Sequence, residues 1–231
     1  MFNKALIALV LTSLTTGTPI DRRATGITSK EFSQGGCRDV LFAWARGSTE
    51  AGNMGTVVGP PTSDGIKAKF GETNVATEGI DYDAALAPNA LPGGTDSKSR
   101  DLMVDTLTAM ATQCPDSVIV AGGYSQGAAV SHRAIESLPA NVQSRIAGVI
   151  LYGDTQFTQD NGQISGFPQD KTKIICATGD LVCKGSLVIL PAHLSYGRNA
   201  GEGSDFLNQQ ITAAMAATKA RKARRGAHDR L

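Results

Sequence analysis

Four short apolar runs, each closed by a turn and separated by stretches of helical spacing, constrain this chain more than any other feature. They lie at 40–45, 117–123, 146–152 and 173–177. Continuous runs of this length fit strands buried on both faces, as in a parallel sheet, rather than strands with one wet face. Helical periodicity marks 62–70, 97–113, 126–138 and a last stretch from Asp205, with Ser204 as a candidate N-cap. Strand–helix alternation predicts one α/β domain, doubly wound, with a mostly parallel central sheet flanked by helices. No internal repeat or low-complexity linker divides it.

Composition agrees. The 231 residues are 41% hydrophobic and 19% charged, enough apolar material for a core and too little charge for a disordered chain. No run approaches the roughly 18 consecutive apolar residues of a membrane-spanning helix. The net charge of +1 conceals an asymmetry. Residues 219–231 carry six basic residues against Asp229, a net +5, and residues 1–23 carry +2, which leaves 24–218 at −6. An acidic body has no electrostatic footprint for nucleic acid, and no such partner is expected.

The ends read as processed or solvated. Lys4, the apolar run 5–14 and the small residues 15–18 predict a secretory signal peptide over 1–17. Arg22-Arg23 predicts a dibasic cut closing a propeptide, 18–23, which makes 24–218 the mature domain. Residues 219–231 form a basic tail, read as a solvated terminus. A secreted chain changes the reading of Cys37, Cys114, Cys176 and Cys183, because an oxidising compartment favours disulfides. Four cysteines allow three pairings. Cys176 and Cys183 enclose six residues and are paired locally, leaving Cys37 with Cys114. Zinc is the alternative, but no close Cys or His pair stands at finger spacing.

Gly123-Tyr124-Ser125-Gln126-Gly127 matches G-x-S-x-G between an apolar run and a helical stretch. The chemistry needs that placement, since a sharp strand-to-helix turn lifts the serine Oγ above the sheet edge. The bland alternative is a Gly-rich βα turn. A serine nucleophile needs a base, and the chain has three histidines. His228 lies in the basic tail. His132 follows Ser125 by two helical turns and cannot reach back over the turn. His193 remains, and it alone satisfies the order serine, acid, histidine. Asp154, Asp160, Asp170 and Asp180 qualify by order as the acid. Asp180 is preferred because it lies inside the Cys176–Cys183 ring, with Asp154, after the third apolar run, as runner-up. Two donors are expected for the oxyanion: the N–H of Gln126, and Ser48 in the turn after the first run.

These residues resemble the fungal cutinases, lidless serine esterases of the α/β-hydrolase superfamily. The similarity spans about 37–207 and rests on Cys-Arg-Asp-Val at 37–40, Ala-Arg-Gly-Ser-Thr-Glu at 45–50 and Asn-Ala-Leu-Pro at 89–92. It continues with Cys-Pro at 114–115, Gly-Gly-Tyr-Ser-Gln-Gly-Ala-Ala at 122–129 and Thr-Gly-Asp-Leu-Val-Cys at 178–183. The resemblance implies a Ser125–Asp180–His193 triad, an oxyanion hole from Ser48 and Gln126, and disulfides Cys37–Cys114 and Cys176–Cys183. It further implies that Asn89 holds the Ser48 hydroxyl, that Tyr124 supports the site, and that Leu86, Leu187, Ile189 and Leu194 form an apolar rim for the acyl chain. No metal or organic cofactor is implied. One departure stands out: family members often carry Pro directly before the histidine, whereas here Pro191 precedes Ala192.

The expected function is hydrolysis of cutin-type polyesters and short-chain esters by a secreted enzyme, a monomer without a membrane span. An acetylxylan esterase of the same fold is the rival within enzymes. A non-catalytic lipid- or surface-binding protein is the reading from another class, and the intact Ser, Asp and His in order argue against it.

Overall fold

Buried apolar runs need neighbours that satisfy their backbone groups away from water, and parallel pairing supplies them. The computed structural model describes residues 24–228, and side chains as far as residue 220. In chain order the elements are α1 (Glu31–Gly35), β1 (Val40–Ala45), α2 (Gly59–Phe70), β2 (Val75–Gly79), α3 (Ser97–Gln113), β3 (Val118–Tyr124), α4 (Gln126–Ser137), α5 (Ala140–Gln143), β4 (Ile146–Tyr152), β5 (Thr172–Ile175) and α6 (Ala200–His228). The expected signal peptide and propeptide lie outside the described residues, as do the side chains of 221–231.

The strands form one five-stranded sheet in the order β2-β1-β3-β4-β5, and every pair is parallel. The sheet is doubly wound, as the alternation predicts. Met103, Leu107 and Met110 of α3 and Val130 and Ile135 of α4 fill one face. Ile66 of α2 and Leu207 and Ile211 of α6 fill the other. β1, β3 and β4 are buried along their whole length, which is why they read as unbroken apolar runs.

Elsewhere the structure departs from the sequence reading. β2 was not expected, because its sequence Val-Ala-Thr-Glu-Gly carries a carboxylate. Glu78 is buried there because it accepts the N–H groups of Phe32 (3.1 Å) and Ser33 (3.0 Å) at the start of α1. β5 ends at Ile175, and as the edge strand it is only half-buried rather than covered on both faces. α2 begins at Gly59, with prolines in its first turn, where a missing N–H breaks no helical bond. α6 begins at Ala200, so Ser204 caps nothing; its hydroxyl donates to the Gly201 carbonyl (3.0 Å) inside the helix.

Two disulfides are present. Cys37–Cys114 ties the approach to β1 to the end of α3, and Cys176–Cys183 closes the loop after β5. Among the described residues no helix is long and apolar enough to cross a membrane.

The chain leaves β1 toward β2 on one side and returns to β3 on the other. The loops after β1 and β3 therefore diverge, leaving a crevice at the C-terminal ends of the strands. Ala45 and Gly123 are register partners at the ends of these two strands, so Ser48 and Ser125 emerge side by side at that crevice. The Cys37–Cys114 bridge spans 77 residues of chain. Replacing both cysteines by serine is expected to cost about 2–5 kcal/mol of stability, read from urea denaturation; an unchanged midpoint would refute the estimate.

Candidate active site

One residue, Ser125, joins β3 to α4, and it does so at φ 56° and ψ −120°. A non-glycine residue at positive φ is strained, by roughly 1–3 kcal/mol, and persists only where its surroundings over-determine it. Here the Ser125 N–H donates to the Tyr152 carbonyl (2.9 Å), and the Ser125 carbonyl accepts from the Ala128 N–H (2.9 Å). The turn closes because two neighbours lack side chains. A Cβ on Gly127 would overlap the Ala45 carbonyl, and one on Gly123 would overlap the carbonyl of Gly127.

His193 opens a short 3-10 stretch, His193–Asn199. Its Nε2 lies 2.9 Å from Ser125 Oγ and its Nδ1 lies 2.9 Å from Asp180 Oδ2. Tyr124 fixes it twice. The ring stacks on the imidazole with centroids 5.2 Å apart, and the hydroxyl donates to the His193 carbonyl (2.7 Å). His193 and Asp180 are each only 2% exposed.

Asp180 sits inside the Cys176–Cys183 ring, where its N–H donates to the Ala177 carbonyl (2.9 Å). Its Oδ1 accepts the Val182 N–H (2.9 Å), and its Oδ2 accepts the Tyr196 hydroxyl (2.6 Å) as well as the His193 contact. Burial alone would raise the Asp180 carboxyl. Hydrogen bonds from Tyr196, His193 and Val182 outweigh burial and hold it below the usual carboxylate range. Burial, then the Asp180 carboxylate, push the Tyr196 phenol up. Burial and the charges of Glu50 and Asp180 do the same for Tyr124. Both phenols therefore remain protonated donors at neutral pH.

The opposite wall is the loop after β1. Asn89 Nδ2 donates to Ser48 Oγ (2.9 Å). Glu50 shapes the loop from within: Oε2 accepts the Gly47 N–H (2.7 Å), and Oε1 accepts those of Thr56 (2.7 Å) and Val57 (2.9 Å). Gln126 Nε2 donates across to the Ala85 carbonyl (2.8 Å), tying the first residue of α4 to the neighbouring loop. Between these walls lies an open cleft of about 590 Å³, lined by Ser125, His193 and Ser48 and by all four expected rim residues, Leu86, Leu187, Ile189 and Leu194. The rim residues are each more than half exposed at its mouth.

Ser125, His193 and Asp180 thus form one hydrogen-bonded line. Asp154, the alternative acid, lies outside it, fully buried and bonded to His132 Nε2 (2.9 Å). Sequence reasoning did not single out Tyr196 or Glu50. A signal for Tyr196 existed, since i and i+3 eclipse in a 3-10 turn and place it on the same side as His193. Glu50 offered none, because its partners are backbone groups brought close only by the folded loop.

A family model described as Cutinase matches residues 36–211. The chain belongs to the cutinase family. It is 42% identical over 212 residues to a cutinase of Pyricularia oryzae, covering 91% of this chain and 99% of that one. It is 44% identical over 220 residues to a cutinase of Emericella nidulans, again covering 91% and 99%. Among solved structures, Trichoderma reesei cutinase in complex with a phosphonate inhibitor matches with a TM-score of 0.69 and 32% identity, covering 76% of this chain and 77% of that one. An acetyl xylan esterase matches with a TM-score of 0.62 and 18% identity, covering 76% and 99%, a likeness of fold alone. As a cutinase the chain is a carboxylic-ester hydrolase.

In this cutinase, Tyr196→Phe removes one of the hydrogen bonds that favour ionised Asp180 and leaves the Ala177 N–H without its acceptor. A carboxyl held low in the folded state stabilises the fold above its unfolded value of 3.8 and loses that contribution as pH falls through the folded value. The variant is expected to be less stable by about 1–3 kcal/mol at neutral pH, with the gap narrowing below about pH 4 as the carboxylate protonates. Thermal melts at pH 7 down to pH 3 measure it. A gap independent of pH rules out Asp180 as the group through which Tyr196 acts.

Proposed function

We propose that this cutinase is a secreted serine esterase, mature from Ala24, that hydrolyses cutin-type polyesters and short-chain esters as a monomer through an acyl-enzyme. The observation that carries the reading is the Ser125–His193–Asp180 line, with both contacts at 2.9 Å, at the floor of a cleft with an apolar mouth.

In the first half-reaction Ser125 Oγ attacks the ester carbonyl carbon, and its proton passes to His193 Nε2. The carbonyl π electrons move to oxygen, and the backbone N–H groups of Ser48 and Gln126 stabilise the oxyanion. Asn89 donates to Ser48 Oγ, which turns the Ser48 hydroxyl proton away from Asn89 and frees it to serve as a further donor. Collapse expels the alcohol oxygen, which takes the proton from His193. A water then attacks the acyl-enzyme, giving its proton to His193, and the second collapse returns that proton to Ser125 Oγ and releases the acid. Asp180 keeps Nδ1 protonated and Nε2 facing the serine, and stabilises the imidazolium. The exposed leucine and isoleucine rim suits an aliphatic acyl chain better than a polysaccharide. The phosphonate inhibitor of the Trichoderma reesei relative is tetrahedral phosphorus chemistry, a shape that fits a site built for a tetrahedral intermediate.

Hydrolysis of p-nitrophenyl acetate, butyrate and palmitate by the chain from Ala24, beside Ser125→Ala, tests the reading. Activity is expected to peak on butyrate, with kcat lowered on the order of 10⁶-fold in the variant. Equal rates for the two proteins would overturn the serine mechanism. A strict acetyl preference without release of monomers from cutin would favour the acetylxylan esterase reading.

A further inference from the structure

His132 and Asp154, the histidine and carboxylate that stand outside the serine line, bind each other. Both are fully buried, and His132 Nε2 lies 2.9 Å from Asp154 Oδ2. His132 lies on α4, which begins directly after Ser125, and Asp154 lies in the turn that follows β4. The second oxygen of Asp154 accepts the Gln156 N–H (2.9 Å), closing the turn on itself.

That turn forms the back of the site. The Tyr152 carbonyl accepts the Ser125 N–H. Thr155 lines the cleft. Gly153, at φ 53°, leaves no room for a side chain beside the catalytic imidazole: a Cβ there would lie 2.7 Å from Tyr196 Cε2, 2.9 Å from His193 Cε1 and 3.0 Å from Nδ1. A glycine cannot brace itself through a side chain, so its position depends on its neighbours. We propose that the His132–Asp154 pair is a positioning element, which fixes the turn 152–156 against α4 and, through Gly153, holds the His193 ring at hydrogen-bonding distance from Ser125. The proposal rests on the serine esterase reading above.

Further charged groups surround the histidine. His132 Nδ1 lies 3.2 Å from Asp160 Oδ2 and 3.9 Å from Glu136 Oε1. Arg133, also on α4, pairs with Asp160 and lies 3.3 Å from Glu136 Oε2. Burial disfavours the charged imidazole, but the hydrogen bond to Asp154 and the carboxylates of Asp160 and Glu136 outweigh it and hold His132 well above the ordinary histidine range. An unpaired charge at this depth is costly, so the turn has no alternative resting place while both partners are present.

Asp154→Asn and His132→Gln test the pair, each at a temperature below its own Tm. The expected result is a fall in kcat on p-nitrophenyl butyrate of about ten- to a hundredfold, with KM within about threefold, and loss or displacement of the downfield His193 Nδ1–H proton resonance. Wild-type kcat and an unmoved resonance in either folded variant would overturn the proposal, as a purely stabilising pair changes Tm alone. Nitrogen-15 spectra of the wild type are an independent arm: His132 Nε2, which faces Asp154 Oδ2, is expected to carry its proton at neutral pH. A deprotonated Nε2 at neutral pH would overturn the proposal even if neither variant folds. Ser125→Ala separates the two readings, because activity that survives it refutes the serine mechanism while leaving the state of His132 readable.

Discussion

Backbone lies directly against backbone where α4 starts beside the end of β1, and the site depends on that contact. The carbonyls of Ala45 and Gly127 occupy the space that side chains at 127 and 123 would need. With those side chains absent, a single residue spans the strand-to-helix turn, and it is forced to positive φ. The sheet supplies the rigidity that holds it there. β1, β3 and β4 are buried throughout, and the Ser125 N–H is tied to the last carbonyl of β4. Strain at the serine and close packing behind it are one arrangement.

From that turn outward, the site is assembled by loops at the C-terminal edge of the sheet. The Ser48 loop follows β1, the Asp180 ring follows β5, and His193 precedes α6. Such loops have no ladder to hold them, and each carries its own brace. Glu50 gathers three N–H groups around Ser48. The Cys176–Cys183 bridge closes the ring that holds Asp180. Tyr124 and Tyr196 approach from β3 and the His193 turn, one holding the histidine and the other the carboxylate. Burial of the two tyrosine contacts keeps them from the screening that weakens exposed pairs. The exposed apolar side chains Leu187, Val188, Ile189, Leu190 and Leu194 concentrate on one segment, from which Leu187, Ile189 and Leu194 line the cleft.

Two buried His–Asp pairs share the molecule, and topology separates their chemistry. His193 has one carboxylate, and its other nitrogen faces a serine at an open cleft. His132 is enclosed by Asp154, Asp160 and Glu136, with no face on the cleft. The two pairs come near each other at Gly153, where a side chain would overlap the ring of His193 and which directly precedes Asp154 in the chain.

Much of this was legible in the residues. Unbroken apolar runs identified β1, β3 and β4, because strands covered on both faces tolerate no polar alternation. The serine turn announced itself through glycines that a close approach requires, and the local cysteine spacing and the order of Ser, Asp and His pointed to the ring and the line. Where polar groups take partners distant in sequence, the residues were silent. Glu78 made β2 illegible, since its buried carboxylate is satisfied by N–H groups some 46 residues away. Ser204 looked like a cap but falls within α6. The choice between Asp180 and Asp154 was open by order alone, since each follows a strand, and packing resolved it: α4 carries His132 to Asp154, and the 3-10 turn carries His193 and Tyr196 to Asp180. The sequence by itself determined the sheet, the serine turn and the residue types of the site, because these follow from local pattern. The tertiary structure alone decided that Asp154 meets His132 and how Tyr196 and Tyr124 hold Asp180 and His193, because that depends on contacts between segments far apart in the chain.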